Sequence, residues 1–232
     1  MKTAMIKSPG MIHVYLETGN QRVFAGAVDW PGWCRSGHDE PSALAALLAY
    51  GPRYALVLRS GRIGFRAPEG LSSLVVSERL KGNASTDFGA PAVAPSSDAE
   101  PIGDVEVRRF QAILRACWRS FDKVTKAARG KELRKGPRGG GRQLDEIIHH
   151  VLEADGAYLG RLGLTSRRTE KAETPDGLSR VRQAILKGVD PAAHNPPSIG
   201  PRGGVRWKAP YFVRRVAWHA LDHAWEIEDR MR

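Results

Sequence analysis

VAWHALDHAWEIEDR, residues 216–230, decides how the second half of the chain folds. Val216, Ala217, Ala220, Ala224 and Ile227 recur at intervals of three and four, and Val213 and Met231 extend the series in both directions. That spacing predicts an amphipathic helix from about residue 210 onward. His219 and His223 stand four residues apart within it. Positions i and i+4 of a helix differ by roughly 40° in rotation and about 6 Å along the axis. Both imidazoles therefore lie on one face, at the flank of the apolar stripe, within reach of a single metal ion. Neutral imidazole suits Zn, Ni, Cu and Fe, and fewer than four protein ligands leaves a position open for water or substrate.

A third ligand has to come from another segment, and the remaining histidines are His13, His38, His149, His150 and His194. The adjacent pair at 149 and 150 lies in a second strong helical pattern, over about 142–163, whose stripe is Leu144, Ile147, Ile148, Val151, Leu152, Tyr158 and Leu162. Its two histidines fall on opposite flanks of that stripe, so periodicity does not choose between them. Two further helices complete a bundle. Asp104 caps one that runs to about residue 128, with Val107, Phe110, Ile113, Leu114, Cys117, Phe121 and Val124 inward. The other follows Pro175-Asp176 and runs to Gly188, before the proline-rich connector DPAAHNPPSIGPRGG at 190–204.

The first half reads as α+β. IHVYLE (12–17) and RVFAGAVD (22–29) are strands joined by the turn Thr18-Gly19-Asn20-Gln21, and WCRSG (33–37) is a third extended piece after Trp30-Pro31-Gly32. Asp39 or Ser42 caps a helix carrying Leu44, Leu47, Leu48 and Tyr50 towards the sheet, with a break or kink at Gly51-Pro52. ALVLR (55–59) and SLVVSE (73–78) are expected as further strands. The fold class expected is thus α+β: a small α+β domain over 1–81, a Gly/Ala/Pro/Ser-rich linker over 82–103, and a helical bundle over 104–232.

The net charge of +11 belongs almost wholly to the second half. Part of it is the basic, glycine-rich loop GKELRKGPRGGGR at 130–142, which suits phosphates, acidic proteins or a purely solvating role. Two cysteines, Cys34 and Cys117, exclude both a disulfide framework and a Cys-rich zinc site and fit a reducing cytoplasm. No apolar run is long enough for a signal peptide or a membrane span. No P-loop ending and no nucleophile elbow occurs. Trp30 and Trp33 read either as a stacking platform for a ligand or as a cover over the sheet.

HHVLEADGAYLGRL at 149–162, followed after about sixty residues by VAWHALDHAWEIEDR, resembles the DinB-like superfamily of four-helix bundles over residues 104–232. Members bind a divalent metal through one His on the second helix and a His-x-x-x-His pair on a later one. The resemblance implies His150, His219 and His223 as metal ligands, His150 being followed by Val151, Leu152 and the acids Glu153 and Asp155. It further implies Zn, Ni or Fe as the cation, a low-molecular-weight thiol as co-reactant, a small-molecule substrate, and S-transferase or hydrolase chemistry. Glu226, three residues after His223, is placed to orient an imidazole, or is an ordinary surface acid. Arg215 is placed to hold a carboxylate, or is an ordinary solvated arginine, and Asp155, inside an apolar stripe, needs an arginine or a metal shell as partner.

Residues 12–54 are similar to a HicB-type module, with two strands, a Pro-Gly turn, and Ser36-Gly37 with Asp39-Glu40 leading into a helix. That resemblance implies a homodimeric binding module for a protein partner. It supports a competing function, a non-catalytic regulatory protein that contacts a protein through this module or nucleic acid through the basic loop. No DNA-binding ribbon or helix-turn-helix pattern follows the module.

Overall fold

The computed structural model describes residues 10–135, 141–163, 175–194 and 206–231. Residues 136–140 of the basic loop and 195–205 of the proline-rich connector lie outside them. Strands β1 (Ile12–Thr18), β2 (Val23–Ala27) and β3 (Cys34–Gly37) form an antiparallel meander, and β4 (Leu74–Lys81) adds to the far side of β1 in parallel, giving the order β3-β2-β1-β4. Trp30-Pro31-Gly32-Trp33 closes on a Trp33 N–H to Trp30 carbonyl hydrogen bond. Pro31 pre-sets the second position and Gly32 takes the positive φ, 94°, that the third requires. A Cβ at Gly32 would meet Ala217 Cβ at 3.1 Å, so this turn seats directly on the last helix.

Both faces of the sheet are covered. Val14, Leu16, Val23, Ala25 and Ala27 point towards α1 (Glu40–Arg59), while Tyr15, Glu17, Phe24 and Cys34 point the opposite way. Asp39 caps α1 by accepting from the Ser42 N–H at 2.8 Å, and the Ser42 hydroxyl reciprocates at the Asp39 N–H. The expected break at Pro52 and the expected strand at 55–59 are both corrected, because α1 runs unbroken to Arg59. Pro52 forfeits one backbone bond, but Tyr54, Val57 and Leu58 continue the stripe begun by Ala43, Leu47 and Gly51 and are buried with it. Tyr54 stacks on Trp33 at 5.9 Å between centroids, and the Trp33 indole N–H donates to the Leu47 carbonyl at 2.8 Å. Trp33 is a core residue, and Trp30 packs edge-on against Phe65.

The stretch 82–103 is not an aperiodic linker. It contains α2 (Ala84–Phe88) and a 3₁₀ turn at Ser96–Ala99, and it is strapped across the outer sheet face by buried polar groups. The Glu17 carboxylate, fully buried, accepts from Thr86 Oγ1, Ala92 N and Val93 N. Asp98 forms a buried ion pair with Arg214 at 2.6 Å. Composition alone misled here, because small and polar residues also suit a chain pressed flat against a sheet.

The helices α3 (Asp104–Ala128), α4 (Leu144–Arg161), α5 (Pro175–His194) and α6 (Ala209–Met231) follow. Gly103, rather than Asp104, is the cap residue of α3, and all seven inward residues expected of that helix are buried. Helix α5 extends six residues beyond Gly188, carrying Pro191 within it. Helix α6 is enclosed almost all round, with α3, α4 and α5 on one side and the Trp30–Trp33 turn and the 82–103 strap on the other. One hydrophobic cluster runs without interruption from Val14, Leu47 and Tyr54 through Ile113 and Leu114 to Val213, Ala217 and Leu221. No helix among the described residues is long and apolar enough to cross a membrane.

Candidate metal centre

His150 on α4 meets His219 and His223 on α6. Their ring centroids lie 5.0 Å (His150–His219), 5.1 Å (His150–His223) and 4.7 Å (His219–His223) apart, and one nitrogen from each falls within 4.8 Å of the others. The Nε2 atoms of His150 and His219 approach to 3.2 Å. Nitrogens bonded to one ion at about 2.0–2.1 Å in tetrahedral or octahedral geometry stand roughly 3 Å apart, so this pair already has the separation of two ligands of one ion. His219 and His223 are buried and His150 is half-buried, which puts the mouth of the site on the α4 side. His149 points outward and pairs with Glu153 at 3.2 Å on the same helix. Tight packing below the triad is supplied by Ile147, Val151, Ala224 and Ile227 with Phe121 and Val124 of α3.

At His150 and His219 the site favours the neutral imidazole. Burial lowers the pKa of His219 well below the ordinary histidine value, with His223, His150, Arg215 and Arg142 adding positive charge against it. Burial lowers that of His150 too, with His223 and Arg142 as further causes. Uncharged rings are the form that donates a lone pair to a cation.

Glu226 is no ordinary surface acid. Its Oε2 lies 2.8 Å from His223 Nδ1 and its Oε1 accepts from Arg230 at 2.7 Å. Burial pushes the carboxyl up, but the His223 and Arg230 contacts outweigh it and hold the group below the usual glutamate range. With Nδ1–H of His223 donated to Glu226, Nε2 carries the lone pair and faces the other two rings. His219 Nδ1 is buried without a hydrogen-bond partner among the described residues.

Among the described residues Arg215 holds no carboxylate: it donates to the Pro91 carbonyl and, at 3.3 Å, to the Tyr158 hydroxyl. Tyr158 was legible only as part of an apolar stripe, yet its ring lies 5.8 Å from that of His219. The missed signal is its place two turns beyond His150, on a similar flank of α4. Asp155 lies apart from the triad. It is fully buried, and burial raises its carboxyl to about 7 against the opposing influence of Arg182 and the Trp118 indole. Cys34 is buried and its thiol is pushed up to about 12, so it is no nucleophile at neutral pH.

A second grouping, Asp104, Asp190 and His194, is exposed on the surface between α3 and α5. His194 Nε2 lies 3.0 Å from Asp104 Oδ1 and Nδ1 lies 3.0 Å from the Asp190 carbonyl oxygen, both acceptors. Acceptors on both ring nitrogens raise the pKa and favour the doubly protonated ring, the form without a lone pair for a metal. Comparisons of the chain with models of protein families, with curated proteins and with solved structures gave no match.

Proposed function

We propose that the protein binds a divalent cation through Nε2 of His150, His219 and His223 and uses it in transferase or hydrolase chemistry on a small molecule. The observation that carries this reading is the convergence of three imidazoles from two helices, two of them buried, within 4.8 Å. Three imidazoles facing one another, two of them buried, have no mutual stabilisation as cations and little as neutral rings, whereas a shared ion satisfies all three. The resemblance of residues 149–162 and 216–230 to DinB-like bundles supports the same ligand set and suggests Zn, Ni or Fe with a low-molecular-weight thiol. A cation bound there would act as a Lewis acid, lowering the pKa of a coordinated water or thiol so that it is nucleophilic at neutral pH. The protein's own groups set the stage for that. Glu226 fixes the His223 tautomer, while Arg142 and Arg215 keep the surroundings positive and so favour an anionic nucleophile or substrate. Elemental analysis of protein purified without a histidine tag tests the reading. Near-stoichiometric metal in the wild type and its loss in His219→Ala/His223→Ala are expected, and equal, negligible metal in both removes the site.

A further inference from the structure

We propose that the outer face of α3 binds the phosphate backbone of duplex nucleic acid. From Arg108 to Lys126 the exposed residues of this helix are Arg108, Arg115, Arg119, Asp122, Lys123 and Lys126. At 100° per residue the five basic positions fall within a strip about 80° wide and, at 1.5 Å per residue, about 27 Å long. The one acid in the strip is neutralised, since both oxygens of Asp122 accept from Arg182 at 2.7 and 2.9 Å.

The same holds for the acids beside the strip. Two grooves border it, one lined by Arg108, Gln111, Arg115 and Lys187, the other by Ser60, Arg119, Ser120 and Lys123. Asp104 and Asp190 at the edge of the first are held by His194, and Glu228 at the edge of the second is held by Arg53 at 2.5 Å. None of Arg108, Arg115, Arg119, Lys123, Lys126 and Lys187 is in an ion pair among the described residues. Local acids are thus matched with local cations, and the surplus charge is concentrated along one straight line.

A line of that length matches about eight base pairs of duplex, at one phosphate per 3.4 Å of each strand. The strip has no exposed aromatic side chain between Arg108 and Lys126 on which an unpaired base would stack, and the large exposed apolar side chain in the grooves beside it is Leu56, too little to enter a membrane or anchor a protein interface. The Ser120 hydroxyl and the amide hydrogen of Gln111 that is not donated to the Leu186 carbonyl add neutral phosphate contacts of the kind that accompany arginine and lysine. The binding is sequence-independent and electrostatic, and it stands whether or not the histidine triad holds a metal.

Fluorescence anisotropy with labelled duplexes of about 25 base pairs and mixed sequence, from 50 to 200 mM NaCl, tests this. Arg115→Gln/Arg119→Gln/Lys123→Gln is compared with Arg66→Gln/Lys81→Gln/Arg161→Gln, which removes the same charge at exposed positions outside both α3 and the basic loop, and melting temperatures verify that both fold. Wild type is expected to bind with affinity that falls steeply with salt. The α3 variant should lose at least about tenfold at 50 mM NaCl and show a salt slope shallower by roughly 2 to 3, while the control variant stays within about threefold of wild type. Absent duplex binding at 50 mM NaCl, equal losses in the two variants, or equally tight α3-dependent binding of poly-glutamate would each overturn the proposal.

Discussion

His150 Nε2 and His219 Nε2 lie 3.2 Å apart across the seam between α4 and α6, although 69 positions separate the two residues in the chain. Neither element could place the pair alone. Helix α4 presents His150 because Ile147 and Val151 on either side of it are pulled into the core, and α6 presents His219 because Val216 and Ala220 are. The triad is therefore a consequence of helix packing rather than of loop conformation, and its geometry should be as rigid as the bundle.

Glu226 orients His223 and is itself held by Arg230, so Glu226→Gln keeps the shape and weakens the hold on the tautomer. Zn affinity measured by competition with a chromogenic chelator should fall by about 10- to 100-fold, the usual effect of removing a group that orients a ligand. Unchanged affinity would mean that Glu226 serves only Arg230.

Asp155 provides a pH signature. Its folded-state carboxyl is raised to about 7 from the ordinary aspartate value of 3.8, so the folded chain binds this proton more tightly than the unfolded one. Stability from this group is complete below about pH 4 and is lost as the pH rises through 7, a cost on the order of 4 kcal/mol at alkaline pH. Asp155→Asn should therefore be more stable than wild type at pH 8 and near-equal at pH 4 in urea unfolding. A variant less stable than wild type at pH 8 would show that the ionised carboxylate is favourably partnered.

The strap over 82–103 depends on Asp98. Asp98→Asn removes the countercharge of the buried Arg214 guanidinium and one of its two carboxylate acceptors, leaving neutral partners such as the Ala27 and Val28 carbonyls. A loss of about 3–5 kcal/mol is expected, together with protease cleavage between residues 82 and 103 that wild type resists. Cleavage elsewhere first would show that Glu17 and its three donors suffice to hold the segment.

Much of this was legible in the sequence. The three-and-four spacing located α3, α4 and α6, and the His-x-x-x-His spacing required two imidazoles on one face whatever the tertiary structure. The choice of His150 over His149 was not contained in periodicity, since both flank the α4 stripe; it came from the DinB-like resemblance, and the geometry brings that residue to the pair. Three features escaped. Local signals at Gly51-Pro52 suggested a stop, but burial of Tyr54, Val57 and Leu58 outweighed one lost backbone bond. The partners of Glu17 and Asp98 are 69 to 116 positions away, beyond any local pattern. The α3 strip is visible in retrospect as Arg108, Arg115, Arg119, Lys123 and Lys126, but its meaning depends on which acids the fold brings beside it.

The central claim is that His150, His219 and His223 hold one cation and His149 does not. Titration of the untagged protein with Co(II), followed by visible absorption, tests it most directly, because ligand-field bands report nitrogen coordination independently of any activity. One equivalent should saturate wild type and His149→Ala alike, while His150→Ala, His219→Ala and His223→Ala should each lose the saturable bands. Absence of Co(II) bands in wild type, or their loss in His149→Ala with retention in His150→Ala, would contradict it.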